Sequence, residues 1–173
     1  DGDNDTFSAQ CKLAKEALQK GVLNESYKDI ITQFLQKPNN ISYVFSAQCE
    51  LAIEALQKGV LNESDKDIIT QFLQKPTDIY SAFPSQCELA TKALQKGILN
   101  ESDKNIITPF LQKPNTQESA LKAQFNLAKV AFEKCIQKED YKILQSLFSP
   151  NDYKETMTRQ YDFIEAMLKE KSS

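Results

Sequence analysis

The chain has 173 residues, 40% hydrophobic and 26% charged, with 21 Lys+Arg against 24 Asp+Glu and a net charge of −3, a composition that specifies a packed fold rather than a disordered chain. It contains no His and no Trp, and Arg159 is its one Arg, which excludes imidazole catalysis, His-ligated metals and a histidine pH switch. A single Arg and a negative balance also leave no basic footprint for DNA or RNA, so no nucleic-acid partner is expected.

The sequence opens Asp1-Gly2-Asp3-Asn4-Asp5. We read residues 1–6 as a flexible acidic tail that suits a mature chain after signal-peptide removal, which makes secretion the expected localisation. Internal repetition then dominates. Phe7-Ser8-Ala9-Gln10-Cys11 returns as Phe45-Ser46-Ala47-Gln48-Cys49 and as Phe83-Pro84-Ser85-Gln86-Cys87. ALQKGVLNES at 17–26 recurs at 55–64 and, with one Val replaced by Ile, at 93–102. IITQFLQKP at 30–38 recurs at 68–76 and, with Pro109 replacing Gln, at 106–114. The period is 38 residues without insertion.

Within the first unit (7–44), the pattern predicts a helix from Ser8 as N-cap to about Lys20, with Cys11, Ala14 and Leu18 at i, i+3, i+7 and Leu13 and Ala17 widening the stripe. Gly21 stands where a left-handed stop is wanted, with Val22-Leu23 folding back on the last turn. A second helix, capped by Ser26 or Asn24, carries Ile30, Ile31, Phe34 and Leu35 on its apolar face and stops at Pro38. The linker from Pro38 to Val44 leads to the next unit. Units two and three follow at 45–82 and 83–120. In unit three Pro109 removes one ladder bond and should kink or shorten the second helix, at up to roughly 3 kcal/mol.

A diverged fourth unit is expected at 121–150. Leu127, Ala128, Ala131 and Phe132 match Leu13, Ala14, Ala17 and Leu18 at an offset of 114, and Glu139, Tyr141, Lys142 and Phe148 match Glu25, Tyr27, Lys28 and Phe34. Cys135 replaces the glycine stop, so that helix should end differently. Ser149-Pro150 then open a final helix at 151–173, the ninth, running to about Lys169 with Tyr153, Met157, Tyr161, Ile164 and Leu168 inward. An atypical terminal unit is what a capped array requires. The expected fold is all-α: a solenoid-like array of four 38-residue αα-hairpin repeats with a C-terminal capping helix, forming one structural domain. The unit is similar in size to tetratricopeptide-type helical repeats, but lacks their Trp and their Leu-Gly and Tyr spacing.

Candidate chemistry is sparse. Cys11, Cys49 and Cys87 lie on apolar stripes and read as buried thiols acting as small hydrophobes. Stacked helices stand about 8–10 Å apart, beyond the about 4.4–6.8 Å between Cα atoms that a disulfide needs. No CxxC pair, phosphate loop or EF-hand pattern occurs, and no metal or cofactor is expected. Glu16, Glu25 and Asp29, with their copies, read as a solvated face rather than a catalytic pair. No run of apolar residues is long enough to span a membrane.

Asn-x-Ser/Thr sequons stand at Asn4, Asn24, Asn40, Asn62 and Asn100, all expected in loops or the tail, where glycan attachment and helix capping are both open readings. Tyr27, Asp65 and Asp103 vary between copied units at the start of the second helix, and on the first helix the varying positions are Lys12, Glu50 and Glu88; Lys15, Ile53 and Thr91; and Glu16, Glu54 and Lys92. They should form a ridge along the first helices, either a partner-facing strip or neutral surface drift. Phe7, Phe45 and Phe83 are expected to pack between units, and Tyr43 and Tyr80 to be exposed anchors in the linkers. The expected function is that of a secreted helical-repeat module binding a protein partner, of the host-directed effector or salivary type. The alternative is a carrier of a small apolar ligand, with the helices closed into a bundle.

Overall fold

Backbone dihedrals and helix caps translate the repeat directly. The computed structural model describes residues 2–79, 81–112 and 114–136. Its seven α-helices are α1 (Gly2–Gln19), α2 (Lys28–Phe34), α3 (Ser42–Gln57), α4 (Lys66–Thr70), α5 (Ala82–Gln95), α6 (Lys104–Ile107) and α7 (Glu118–Lys134), and no strand occurs among the described residues. The chain is therefore all-α in its described part. The second half of unit four and the expected ninth helix lie outside those residues.

The long helices begin earlier than the sequence suggests. Residues 2–6 are the opening of α1 rather than a tail, and Asn4 is helical. Asp3 and Asp5 lie in its first turn, where negative charge suits the helix dipole. Ser8 is therefore not a cap but a buried residue inside α1. Likewise α3 starts at Ser42 and α5 at Ala82. Tyr43 thus belongs to α3 and not to the linker. The physical reason is that Ser42-Tyr43-Val44 holds no Gly or Pro to stop the helix, and the chain instead turns at Asn39, whose Oδ1 accepts the Ile41 N–H at 2.8 Å.

Each long helix of the first three units ends on glycine. Gly21, Gly59 and Gly97 have φ of +75°, +76° and +75°. Val60 N–H donates to Ala55 O at 2.9 Å and Gly59 N–H to Leu56 O at 3.2 Å, the paired bonds of a Schellman motif. A Cβ on Gly59 would meet nothing within 4 Å, so the cost of adding one lies wholly in the dihedral. Gly59→Ala is expected to lower stability by about 1 kcal/mol with the fold unchanged, measured as a shift in urea midpoint at constant slope. Without that glycine, α7 ends otherwise: Cys135 has φ −141°, and both Cys135 and Ile136 N–H groups donate to Ala131 O at 2.8 Å.

The second helices are shorter than expected and each opens with a 3-10 turn, at Glu25–Tyr27, Glu63–Asp65 and Glu101–Asp103. The cap is Asn24 rather than Ser26: its Oδ1 accepts Ser26 N–H at 2.9 Å and Ser26 Oγ–H at 2.7 Å. In units two and three Asp65 and Asp103 return a bond to the Asn62 and Asn100 N–H groups, each at 2.9 Å, closing a capping box. Pro109 shortens its helix as expected, leaving α6 with four residues followed by a 3-10 turn at Thr108–Phe110.

Packing runs between equivalent long helices: α1 against α3, α3 against α5, and α5 against α7. Cys49, Leu51, Ala52, Ala55 and Leu56 of α3 are at most 1% exposed and share one core cluster with their counterparts on α5 and α7. Phe7, Phe45 and Phe83, expected to pack between units, each make an aromatic pair within their own unit. Their rings meet Phe34, Phe72 and Phe110 at centroid distances of 5.8, 5.5 and 6.0 Å, each joining the two helices of its own unit.

Candidate functional site

The varying positions of α1, α3 and α5 form cross-unit contacts. Lys15 Nζ lies 3.8 Å from Glu50 Oε2, Gln19 Nε2 donates to Glu54 Oε2 at 3.4 Å, and Lys92 Nζ donates to Gln57 Oε1 at 2.7 Å. Lys15 and Glu50 side chains are 32% and 42% exposed, so the pair contributes at most about 1 kcal/mol and is screened by salt. Glu16 is held within its own helix by Lys20 at 3.0 Å, and Lys12 is exposed.

The diagonal pair is not repeated one unit on. Ile53 stands where Lys15 stands, so Glu88, the counterpart of Glu50, makes no ion pair among the described residues. Partial desolvation of its carboxyl raises the Glu88 pKa, the nearby Glu50 carboxylate adds to the rise, and Lys15 opposes it. Ile53, apolar where its equivalents are polar, is only partly exposed and packs on the core. Thr91 Oγ–H is turned inward to Cys87 O at 2.7 Å. The ridge thus resolves into Lys15, Glu50, Ile53 and Glu88, with Thr91 contributing to its own helix.

Tyr43 is 42% exposed, and its hydroxyl donates to Asp5 Oδ1 at 2.7 Å, joining α3 to the start of α1. Tyr80 lies outside the described residues. Among the sequons, Asn24, Asn40, Asn62 and Asn100 are exposed, and the capping geometry engages Oδ1 of Asn24, Asn62 and Asn100. Asn4 is on α1, not in a loop.

The four cysteines are buried, and Cys11, Cys49 and Cys87 are free thiols. Burial pushes the Cys11 thiol up to about 11 and the Cys49 and Cys87 thiols higher still, the opposite of what a reactive thiolate requires. Glu16, Glu25 and Asp29 are exposed. Among the described residues no three Cys, Asp or Glu side chains converge as metal ligands, and no helix is long and apolar enough to cross a membrane.

Two sets of residues that the sequence reading left without a role organise the whole arrangement. Gln48 is 1% exposed; its Nε2 donates to Phe34 O and Lys37 O at 2.9 Å, and its Oε1 accepts Asn39 N–H at 2.8 Å. Gln86 repeats these bonds to Phe72 O, Lys75 O and Thr77 N–H at 2.9, 3.0 and 3.1 Å. Gln124 does so to Phe110 O and Asn115 N–H at 2.9 and 2.8 Å. Each amide clamps the end of the preceding short helix. Lys28 reaches Asp65 at 2.7 Å, and Lys66 reaches Asp103 at 2.8 Å. The recurrence of Gln at this position in all four units, the diverged one included, was the available signal.

Comparison of the chain with protein-family models, with curated proteins and with solved structures yields no match.

Proposed function

We propose that the chain is an open, solenoid-like array of αα-hairpin units and serves as a secreted protein-binding module of the host-directed effector or salivary type. The observation that carries this reading is the ridge. Equivalent positions on three stacked helices carry different chemistry, and Glu88 is left without the lysine that pairs Glu50. An apolar side chain flanked by two carboxylates suits a partner segment that sets Lys or Arg beside an apolar residue. Extended surfaces of this kind are how stacked repeats bind. The grooves between units, such as one of about 540 Å³ lined by Leu18, Gly21, Asn24 and Lys58, are open to solvent, which favours this reading over the closed carrier. The exposed sequons at Asn24, Asn40, Asn62 and Asn100 support the secretory route.

The test is affinity capture from the natural target tissue with wild-type protein and with the Glu50→Lys/Glu88→Lys variant. A partner retained by wild type and released at least about tenfold faster by the variant supports the ridge. Identical capture by both removes it, and co-purification of a lipid-like molecule would favour the carrier. Intact mass of the secreted chain checks the glycans.

A further inference from the structure

Each of the first three units carries the triplet Asn-Glu-Ser just after its glycine stop, at Asn24, Asn62 and Asn100. Capping and glycan attachment exclude one another there only if both need the same atom. They do not. The N–H groups of Ser26, Ser64 and Ser102 donate to the asparagine Oδ1 atoms at 2.9, 3.0 and 2.9 Å, and each serine hydroxyl donates to the same oxygen at 2.7 Å. A backbone N–H can only donate, so the side-chain atom facing it is the carboxamide oxygen. The side-chain cap therefore uses Oδ1, and among the described residues Nδ2 of these asparagines enters no hydrogen bond.

The surroundings leave room at that nitrogen. All three asparagines are exposed, with extended backbone at φ of −144°, −143° and −146°. Asn24 and Asn62 border open grooves of about 540 and 360 Å³, each closed on the far side by a lysine of the next unit, Lys58 and Lys96. Asn40 stands in the linker at the other end of the helices and Asn4 within α1, so neither belongs to this set.

We propose that Asn24, Asn62 and Asn100 are acceptor sites for N-linked glycans, modified at Nδ2 while their caps stay closed. The proposal rests on the secretory reading above. In the transfer, Nδ2 bonds to the anomeric carbon of an oligosaccharide carried on a lipid diphosphate. The bond from that carbon to the diphosphate oxygen breaks, the lipid diphosphate leaves with the electron pair, and Nδ2 gives up one proton. The product is a secondary amide whose Oδ1 still accepts, so the serine bonds survive. Stacked helices stand about 8–10 Å apart, so one glycan per unit makes a dense hydrated row over the turns. Glu50 precedes the Gly59 stop by 9 residues, roughly 14 Å of helix, so the row leaves the ridge open to a protein.

The test expresses the full chain behind a cleavable secretion leader in a eukaryotic cell line. Glycans are released with an amidase that converts each occupied Asn to Asp, and the sites are read by peptide mass. Occupancy at Asn24, Asn62 and Asn100 is expected, and Ser26→Ala, Ser64→Ala and Ser102→Ala should each remove one glycan while leaving the capping asparagine in place. The glycosylated chain should keep the helicity of the amidase-treated one and unfold at no lower urea concentration, since Asp retains a capping oxygen. Vacancy at these asparagines overturns the proposal, and occupied sites with lost helicity overturn the coexistence of glycan and cap. The leader supplies the route, so vacant sites count against this proposal alone, whereas a natural source that keeps the chain inside its cells counts against the secreted reading alone.

Discussion

Gln86→Ala is expected to destabilise the fold by about 3 kcal/mol, while Gln10→Ala, the same change at the same repeat position, should stay within about 0.5 kcal/mol of wild type. Truncation at Gln86 removes the partner of three backbone groups, Phe72 O, Lys75 O and Thr77 N–H. Each buried polar group left unpaired costs about 1–3 kcal/mol, reduced where water or a small shift satisfies it. The side chain is 2% exposed, so little water reaches the gap. Gln10 is exposed and makes no clamp of this kind, so its loss is a surface substitution. Urea denaturation of the two variants measures the contrast. Equal effects would mean that the amide acts through intrinsic helix propensity alone and that the clamp contributes nothing.

That contrast marks the boundary of what the sequence discloses. The 38-residue period, the glycine stops, the shortened helix at Pro109 and the altered stop at Cys135 were all legible, because each rests on local backbone chemistry that a short motif encodes. The helix starts were not. Ser8 and Ser46 match an N-cap pattern, but a cap acts only where the chain leaves helical dihedrals, and nothing in residues 2–6 or 42–44 makes it do so. The aromatic pairs within units were not legible either, because a 27-residue separation, Phe45 to Phe72, becomes a contact only once the turn at Gly59 brings the short helix back. For the candidate site, the ridge positions were found by their variation, but their pairing was hidden. Variation marks a surface position without revealing that Lys15 reaches Glu50 one unit on, or that Ile53 packs down on the core. Tyr27 is the clearest case. It reads as one more variable residue until Lys28 and Lys66 are seen to reach the aspartates at that position in units two and three.

Phe72→Ala should have the largest effect of any substitution considered, a loss of about 3–5 kcal/mol. Phe72 is 1% exposed, and its ring lies 5.5 Å from Phe45 at an interplanar angle of 53°, a tilted aromatic contact that adds about 0.5–1.5 kcal/mol beyond area burial. The equivalent Phe34→Ala should cost roughly half as much. Phe34 has the same kind of partner, Phe7 at 5.8 Å, but is only partly buried, so part of its ring is already in water. The shape of the transition should differ as well. Unit two lies between α1 and α5 and couples them, since α1 packs on α3 and α3 on α5. When stability is shared between neighbouring units, weakening an inner unit separates those on either side. Phe72→Ala should therefore broaden the urea transition and lower its apparent slope, with circular dichroism and tyrosine fluorescence no longer coincident, whereas Phe34→Ala should shift the midpoint at constant slope. A single sharp transition for Phe72→Ala, displaced but not broadened, would show that the units unfold as one body and that stacking between them is stronger than the bonds within each.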